Sequence, residues 1–525
     1  MGKNMVFWAL YAIIASAGIT TGCRQQKASE KESVLMLPGN EKWWGGAVVD
    51  GRNSPLDEKG FVYDQYADCK GNQAAPLFIS NKGRYIWSEN PLRFEMSSGK
   101  IKVSAYDDGE VLTGQAGNTL KEAFLFCSKR FFPPSGKTPD SILFTNPQYN
   151  TWIELQYDQN EKDILRYAED IVKNGFPKGV IMIDDNWQDR YGKWEFDCEK
   201  FSDPKGMIRK LHDMGFKVML WICPFVSSDS PVYRDLADKK LLVFRDREKT
   251  RPAIVDWWNG ASAIIDLSNP EGERWFKNQM NHLVNEYGVD GFKLDAGDPE
   301  YYTDTYSYGD YGPNDHCEAF ARTGLDYPLN EFRACWKMAG KPLGQRLRDK
   351  RHTWQDLEAL IPDMIGLGLI GHQFGCPDLI GGGEWLSFQD TSVLDEELIV
   401  RSSQVHALMG MMQFSVAPWR VLSPAYLAIC KRMAELHYHM GSEIFLLARE
   451  CAVSGEPMVR SLEYEFPGKG YEYIRDQFML GSEIMAAPVV KKGAVSREII
   501  FPEGRWEGDD GKTITGPVKL AIDVP

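Results

Sequence analysis

From about residue 145 to 440 the chain repeats one pattern: a short continuous apolar run, a polar residue that ends it, and an amphipathic stretch. Val180-Ile181-Met182-Ile183 ends at Asp184-Asp185, and Phe292-Lys293-Leu294 ends at Asp295. Between such runs, residues 163–174 place Ile164, Leu165, Tyr167, Ala168, Ile171 and Val172 on one helical face, and 204–214 and 271–287 read as further helices. Strands apolar on both faces are buried strands of a parallel sheet, and repeated βα units build one. So many units in this length predict a closed (β/α)8 TIM barrel. An open nucleotide-binding sheet would carry a glycine-rich turn after a strand, and no such motif occurs.

The flanks read differently. Phe61-Val62-Tyr63, Tyr85-Ile86-Trp87 and Ile101-Lys102-Val103 are short β runs broken by turn residues, and similar runs return at 478–482, 484–490 and 497–501. The expected organisation is therefore an α/β protein with an N-terminal β-sandwich over 33–143, a catalytic barrel over 144–443 and a small C-terminal β-sandwich over 444–525. Ahead of these, Lys3 and an apolar run of 15 residues, Met5 to Ile19, suit a signal peptide better than a membrane span, which needs about 20. Thr20-Thr21-Gly22-Cys23 resembles a bacterial lipoprotein cleavage site. The leader would cover 1–23 and a polar tether 24–32. The expectation is an exported lipoprotein, periplasmic or held at the outer membrane only through a lipid on Cys23. Thr20 stands where Leu is usual, which leaves plain secretion open.

Composition narrows the chemistry. With 60 Lys+Arg against 74 Asp+Glu the net charge is −14, unsuited to neutralising phosphates, so no nucleic-acid partner is expected. Ten Cys contain no Cys-x-x-Cys and eight His no H-E-x-x-H, so neither a metal nor a cofactor is expected, and most thiols should be small core residues. The 16 Trp suit a cleft for sugar rings, although large proteins bury aromatics anyway.

Active sites of such barrels form at the C-terminal ends of the strands. The polar residues collected there are Asp184, Asp185, Trp221, Lys293, Asp295, Arg333, Asp349 and Asp378. Any one of the carboxylates alone reads equally well as a helix cap, but their convergence on one mouth suits glycosidic cleavage by paired carboxyl groups. Trp44, Trp187, Trp257, Trp258 and Tyr191 are further candidates to line the cleft, with core packing as the competing explanation.

The motifs resemble those of glycoside hydrolase family 31, retaining α-glycosidases with a barrel between β-sandwiches, and most closely its α-galactosidase branch. The resemblance runs from Trp43-Trp44-Gly45-Gly46 to Ala487-Pro488-Val489. It implies that Asp295, in Phe292-Lys293-Leu294-Asp295-Ala296-Gly297, is the nucleophile. Asp349, five residues before Trp354, would be the acid/base. Arg333, sixteen residues upstream of Asp349, would bind substrate, as would Trp258 in Trp257-Trp258-Asn259-Gly260. Asp184, Asp185 and the Asp378 of Pro377-Asp378-Leu379-Ile380-Gly381-Gly382 match further binding positions. Asp298 stands where the family usually has Glu, and one C-terminal β-domain is expected to be short or missing.

Many family members carry Trp where this chain has Lys293, whereas Lys-x-Asp resembles other α-galactosidases. The implied activity is exo-acting, retaining hydrolysis of terminal α-galactosyl residues of oligosaccharides or glycoconjugates, with carbohydrate as the partner. An α-glucosidase or α-xylosidase of the same family, or a non-catalytic carbohydrate-binding lipoprotein, remain the alternatives.

Overall fold

The computed structural model describes residues 31–57 and 59–524. The leader and most of the tether, Cys23 included, lie outside the described residues.

Eight short parallel strands follow one another around a ring in chain order. They are β1 (Gln148–Asn150), β2 (Val180–Ile183), β3 (Lys217–Ile222), β4 (Gly291–Leu294), β5 (Leu329–Phe332), β6 (Gln345–Arg346), β7 (Gly375–Cys376) and β8 (Gln413–Phe414). Only the seam between β7 and β8 lacks ladder pairing, and there Ile380 N donates to the Gln413 carbonyl at 2.9 Å. Val180, Ile181, Met182 and Ile183 are all buried, as double-sided coverage of a parallel strand requires.

The helices outside the ring start on side-chain caps, which satisfy amide groups that a first turn leaves unpaired. Asn160 caps α1 (Glu161–Lys173), Asp203 caps α2 (Pro204–Asp213) and Asn269 caps α3 (Pro270–His282). Farther along come α4 (Pro313–Thr323), α5 (Trp354–Leu369, capped by Thr353), α6 (Glu396–Ala407, capped by Asp395) and α7 (Pro424–Ser454). Helix α7 runs 31 residues, straight through the 443/444 boundary read from the sequence, and the chain leaves it only at Gly455 with φ +81°. No amphipathic helix separates β5 from β6. The link 333–344 instead sends Cys335–Trp336 to pair in parallel with Gln73–Ala74 of the N-terminal domain.

That domain is a sandwich of two sheets. One has the order 33–36, 100–105, 92–97, 61–64; the other holds Gln73–Ser80, Arg84–Trp87 and Leu112–Gln115, with Trp43–Ala47 also paired to Gln73–Ser80. Phe78 and Phe94 stack at 3.9 Å between the sheets. Helix Leu120–Phe131 follows the last strand and returns the chain to the barrel. At the other end, the three strands Val459–Arg460, Phe478–Leu480 and Ile484–Ala486 form a small sheet, joined by a hairpin of Ser496–Glu507 with Thr513–Asp523. Among the described residues no helix is long and apolar enough to cross a membrane. All nine described cysteines are free and all but Cys198 are buried.

Candidate active site

Alternation along β4 decides where the charges go, because residues two apart share one face of a strand. Lys293 and Asp295 therefore point into the mouth together, and β3 places Trp221 opposite Lys293 in register. Chain reversal follows at once. Asn186, Ala296 and Asp378 hold φ of +74°, +60° and +84°, left-handed backbone that side chains other than glycine rarely adopt. All three lie at or just after strand-end carboxylates, where stored backbone strain marks sites that aim a side chain.

A cleft of about 490 Å³ opens over these strand ends. Asp295 sits on its floor and is only 7% exposed. Its Oδ1 accepts from Arg333 Nε at 2.7 Å and from Ala296 N at 2.8 Å, and its Oδ2 accepts from Trp221 Nε1 at 3.0 Å. Burial alone would raise its pKa. The cations of Arg333, Lys293 and Arg346, together with the indole donor, outweigh burial and hold the carboxyl well below its ordinary range. Asp349 lines the same cleft, but its side chain is 42% exposed. One carboxylate is thus dry and ionised, and the other reaches solvent.

Arg333 is turned to the support of Asp295. Its Nη1 and Nη2 grip Asp298 at 3.0 and 2.5 Å, and Nη1 also donates to the Gly71 carbonyl at 2.8 Å. Asp298 therefore braces Arg333, through a bidentate pair that fixes the guanidinium plane. Trp258, exposed at the rim, lies 5.4 Å from that guanidinium.

Lys293 Nζ meets Asp184 Oδ2 at 2.6 Å. Asp185 accepts from Gln188 (3.2 Å), Tyr191 (3.0 Å), Asn259 (2.6 Å) and the Asn186 amide (2.7 Å). Burial, reinforced by the charge of Asp184, pushes its pKa up to about 7 against these donors. A raised carboxyl pKa means that the folded state binds the extra proton. This contribution to stability is complete below the unfolded value of 3.8 and disappears as pH rises through about 7. Thermal melts of wild type and Asp185→Asn across that window should show wild type losing ground to the variant as pH increases; a constant gap would refute the assignment.

Asp378 does not face the cleft directly. It is fully buried, and it accepts from Arg346 Nη1 at 2.6 Å and from Lys350 N at 2.8 Å. Burial and the neighbouring Asp349 charge raise its pKa, with Arg346 opposing them. The binding role expected of Asp378 is corrected to one of support, since both of its oxygens are occupied beneath the floor. Of the aromatic candidates, Trp221 and Trp258 line the cleft. Trp44, Trp187 and Trp257 are buried in hydrophobic cores, and Tyr191 holds Asp185.

Arg346 was not legible beforehand. It is fully buried, with Nε on Glu331 Oε1 at 3.2 Å and Nη1 on both Asp349 (2.8 Å) and Asp378 (2.6 Å). Trp152, Tyr157, Tyr301 and Trp385 also line the cleft, from the loops and short helical turns that follow β1, β4 and β7. Tyr157 OH reaches Asn259 Oδ1 at 3.2 Å and so joins the loop after β1 to the one after β3 across one side of the cleft.

Known proteins show the same organisation. The model of the TIM-barrel domain of glycosyl hydrolases family 31 matches residues 147–441, and that of the family's C-terminal domain matches 455–524. The chain is 30% identical over 423 residues to the myogenesis-regulating glycosidase of Mus musculus, covering 78% of this chain and 58% of that protein. It is 23% identical over 483 residues to alpha-xylosidase XylQ of Lactiplantibacillus pentosus, covering 84% of this chain and 60% of the relative. The chain thus spans about three fifths of the length of these relatives. A Flavobacterium johnsoniae dextranase of the family, solved with glucose, superposes with a TM-score of 0.84 at 20% identity, over 96% of this chain and 66% of that one, a likeness of fold. The matched barrel covers more than half of the sequence, and this chain belongs to glycosyl hydrolases family 31.

Proposed function

We propose that the protein is an exo-acting, retaining α-glycosidase that removes terminal α-galactosyl residues by double displacement. The observation that carries the proposal is the pairing on one cleft of a dry carboxylate kept ionised, Asp295, with a solvent-reaching one, Asp349.

In the first step an oxygen of Asp295 attacks the anomeric carbon. Oδ2, with one donor against two on Oδ1, has more lone-pair density free. The bond to the leaving oxygen breaks, and Asp349 gives that oxygen its proton. In the second step Asp349 takes a proton from water, the water oxygen bonds to the anomeric carbon, and Asp295 departs as carboxylate. Two inversions give net retention. Arg346, in contact with Asp349, keeps the acid/base in place for both transfers.

The sugar assignment rests on Lys293 and the two carboxylates beside it. An ammonium has three donors, of which Asp184 takes one. The others suit hydroxyl oxygens, where the Trp common in the family would offer an apolar face. Purified protein should release galactose from nitrophenyl α-galactoside, and NMR should show the α-anomer first. Hydrolysis of nitrophenyl α-glucoside but not of the α-galactoside would overturn the sugar and leave the mechanism; first appearance of the β-anomer would overturn the mechanism.

A further inference from the structure

One side chain from outside the barrel holds the ends of β5 and β6, which lead to Arg333 and Asp349. Asn72 belongs to the turn that enters the long N-terminal strand and is fully buried. Its Nδ2 donates to the Arg333 carbonyl at 2.7 Å and to the Arg346 carbonyl at 3.1 Å. Its Oδ1 accepts from Arg348 N at 3.1 Å. Arg333 is the residue that clasps Asp295, and Arg348 directly precedes Asp349. One amide therefore spans the ends of β5 and β6. No helix separates these strands, and the loop between them is held from outside the ring by the N-terminal domain, through the pairing of Cys335–Trp336 and the bonds of this turn.

The surrounding turn adds to the clamp. The Lys70 carbonyl accepts from Arg348 Nη1 at 3.0 Å, the Gly71 carbonyl from Arg333 Nη1 at 2.8 Å, and the Asn72 carbonyl from Cys335 N at 3.1 Å. The donors are main-chain atoms or side chains of the two loops that carry Arg333 and Asp349.

We infer that Asn72 is a positioning residue of the N-terminal domain that sets where Asp349 stands relative to Asp295. The inference rests on the glycosidase proposal above. Its main effect falls on Asp349, because Asn72 bonds the main chain on both sides of Leu347 and ends one residue short of the carboxyl. Asp295 has its own anchors in Trp221 and Ala296 N and is less exposed to the loss.

This separation of roles gives the test. Asp349 must protonate an alkoxide leaving group but is not needed to expel fluoride. kcat/KM reports the first chemical step, so it is measured for the α-galactosyl fluoride and for methyl α-galactoside, in wild type, Asn72→Ala and Asn72→Asp. The alanine variant removes all three bonds; the aspartate variant keeps the acceptor for Arg348 N and removes the amide donors. We expect the methyl glycoside to lose at least about tenfold more than the fluoride in Asn72→Ala, consistent with the 10²–10⁴-fold typical of general acid catalysis, and Asn72→Asp to fall between the two. Unfolded molecules subtract equally from both rates, so the ratio is read even from a partly misfolded preparation, and Asn72→Asp decides the matter if Asn72→Ala yields no folded protein. Equal losses on the two substrates would overturn the inference while leaving the glycosidase reading intact. A wild type inactive on both would instead overturn the reading on which it rests.

Discussion

Asp295→Ala should abolish turnover, with kcat falling on the order of 10⁴–10⁶-fold, the loss seen when the nucleophile of a unit that works together is removed. The fold should persist, since Asp295 is one contact of a larger network, although Arg333 Nε would lose its acceptor. Steady-state kinetics on the nitrophenyl galactoside would measure the first effect and circular dichroism the second. Added azide should restore part of the rate and yield the β-galactosyl azide, because the anion attacks from the vacated side. Residual activity within tenfold of wild type would remove Asp295 from the mechanism. The same carboxylate ties stability to pH. Its folded pKa lies below the unfolded value, so its contribution is complete at neutral pH and is lost as pH falls through the acidic range. Asp295→Ala should therefore flatten the acid limb of the stability profile.

The largest effect on stability should come from Arg346→Met. This guanidinium is shared by Glu331, Asp349 and Asp378, and two of those carboxylates are themselves fully buried. Removing the cation from a buried cluster strands charges that water cannot reach, at a cost of about 3–5 kcal/mol. Urea denaturation should show the midpoint falling with the slope unchanged. Part of the loss should be recovered by Arg346→Met combined with Asp378→Asn, since the second change removes one of the stranded charges. No recovery would mean that Arg346 acts by packing rather than by charge.

The barrel was legible because burial on both faces writes itself into a strand as an uninterrupted apolar run, and Asp184, Asp185 and Asp295 stand where those runs stop. Helices α1, α2 and α3 were legible through their amphipathic pattern. The link from β5 to β6 was not, since its short strand pairs with a segment some 260 positions away. Residues such as Arg346 and Asn72 escaped for a related reason. Their partners are main-chain carbonyls and carboxylates brought in by the fold, and no local pattern announces them. Trp44, Trp187 and Trp257 were grouped with the cleft aromatics because composition cannot tell an inward ring from an outward one. Asp378 was placed in the binding set by its motif, while its left-handed backbone turns it beneath the floor instead. Helix α7 runs on past the boundary read near 443, because its buried residues serve the barrel core and then, at Ile444, Ala448 and Cys451, the core shared with the C-terminal sheet.

The pairing of Cys335–Trp336 with the N-terminal strand has a consequence for how this architecture can be cut and recombined. A barrel released from its neighbour at residue 144 would keep all eight of its strands, yet it would strip the partner from one loop edge and bare the ring Trp336 now buries in the sandwich core. The N-terminal domain is thus no detachable accessory to be exchanged between relatives. Any chimera has to carry the turn at Lys70–Asn72 and the loop at 333–348 from the same parent.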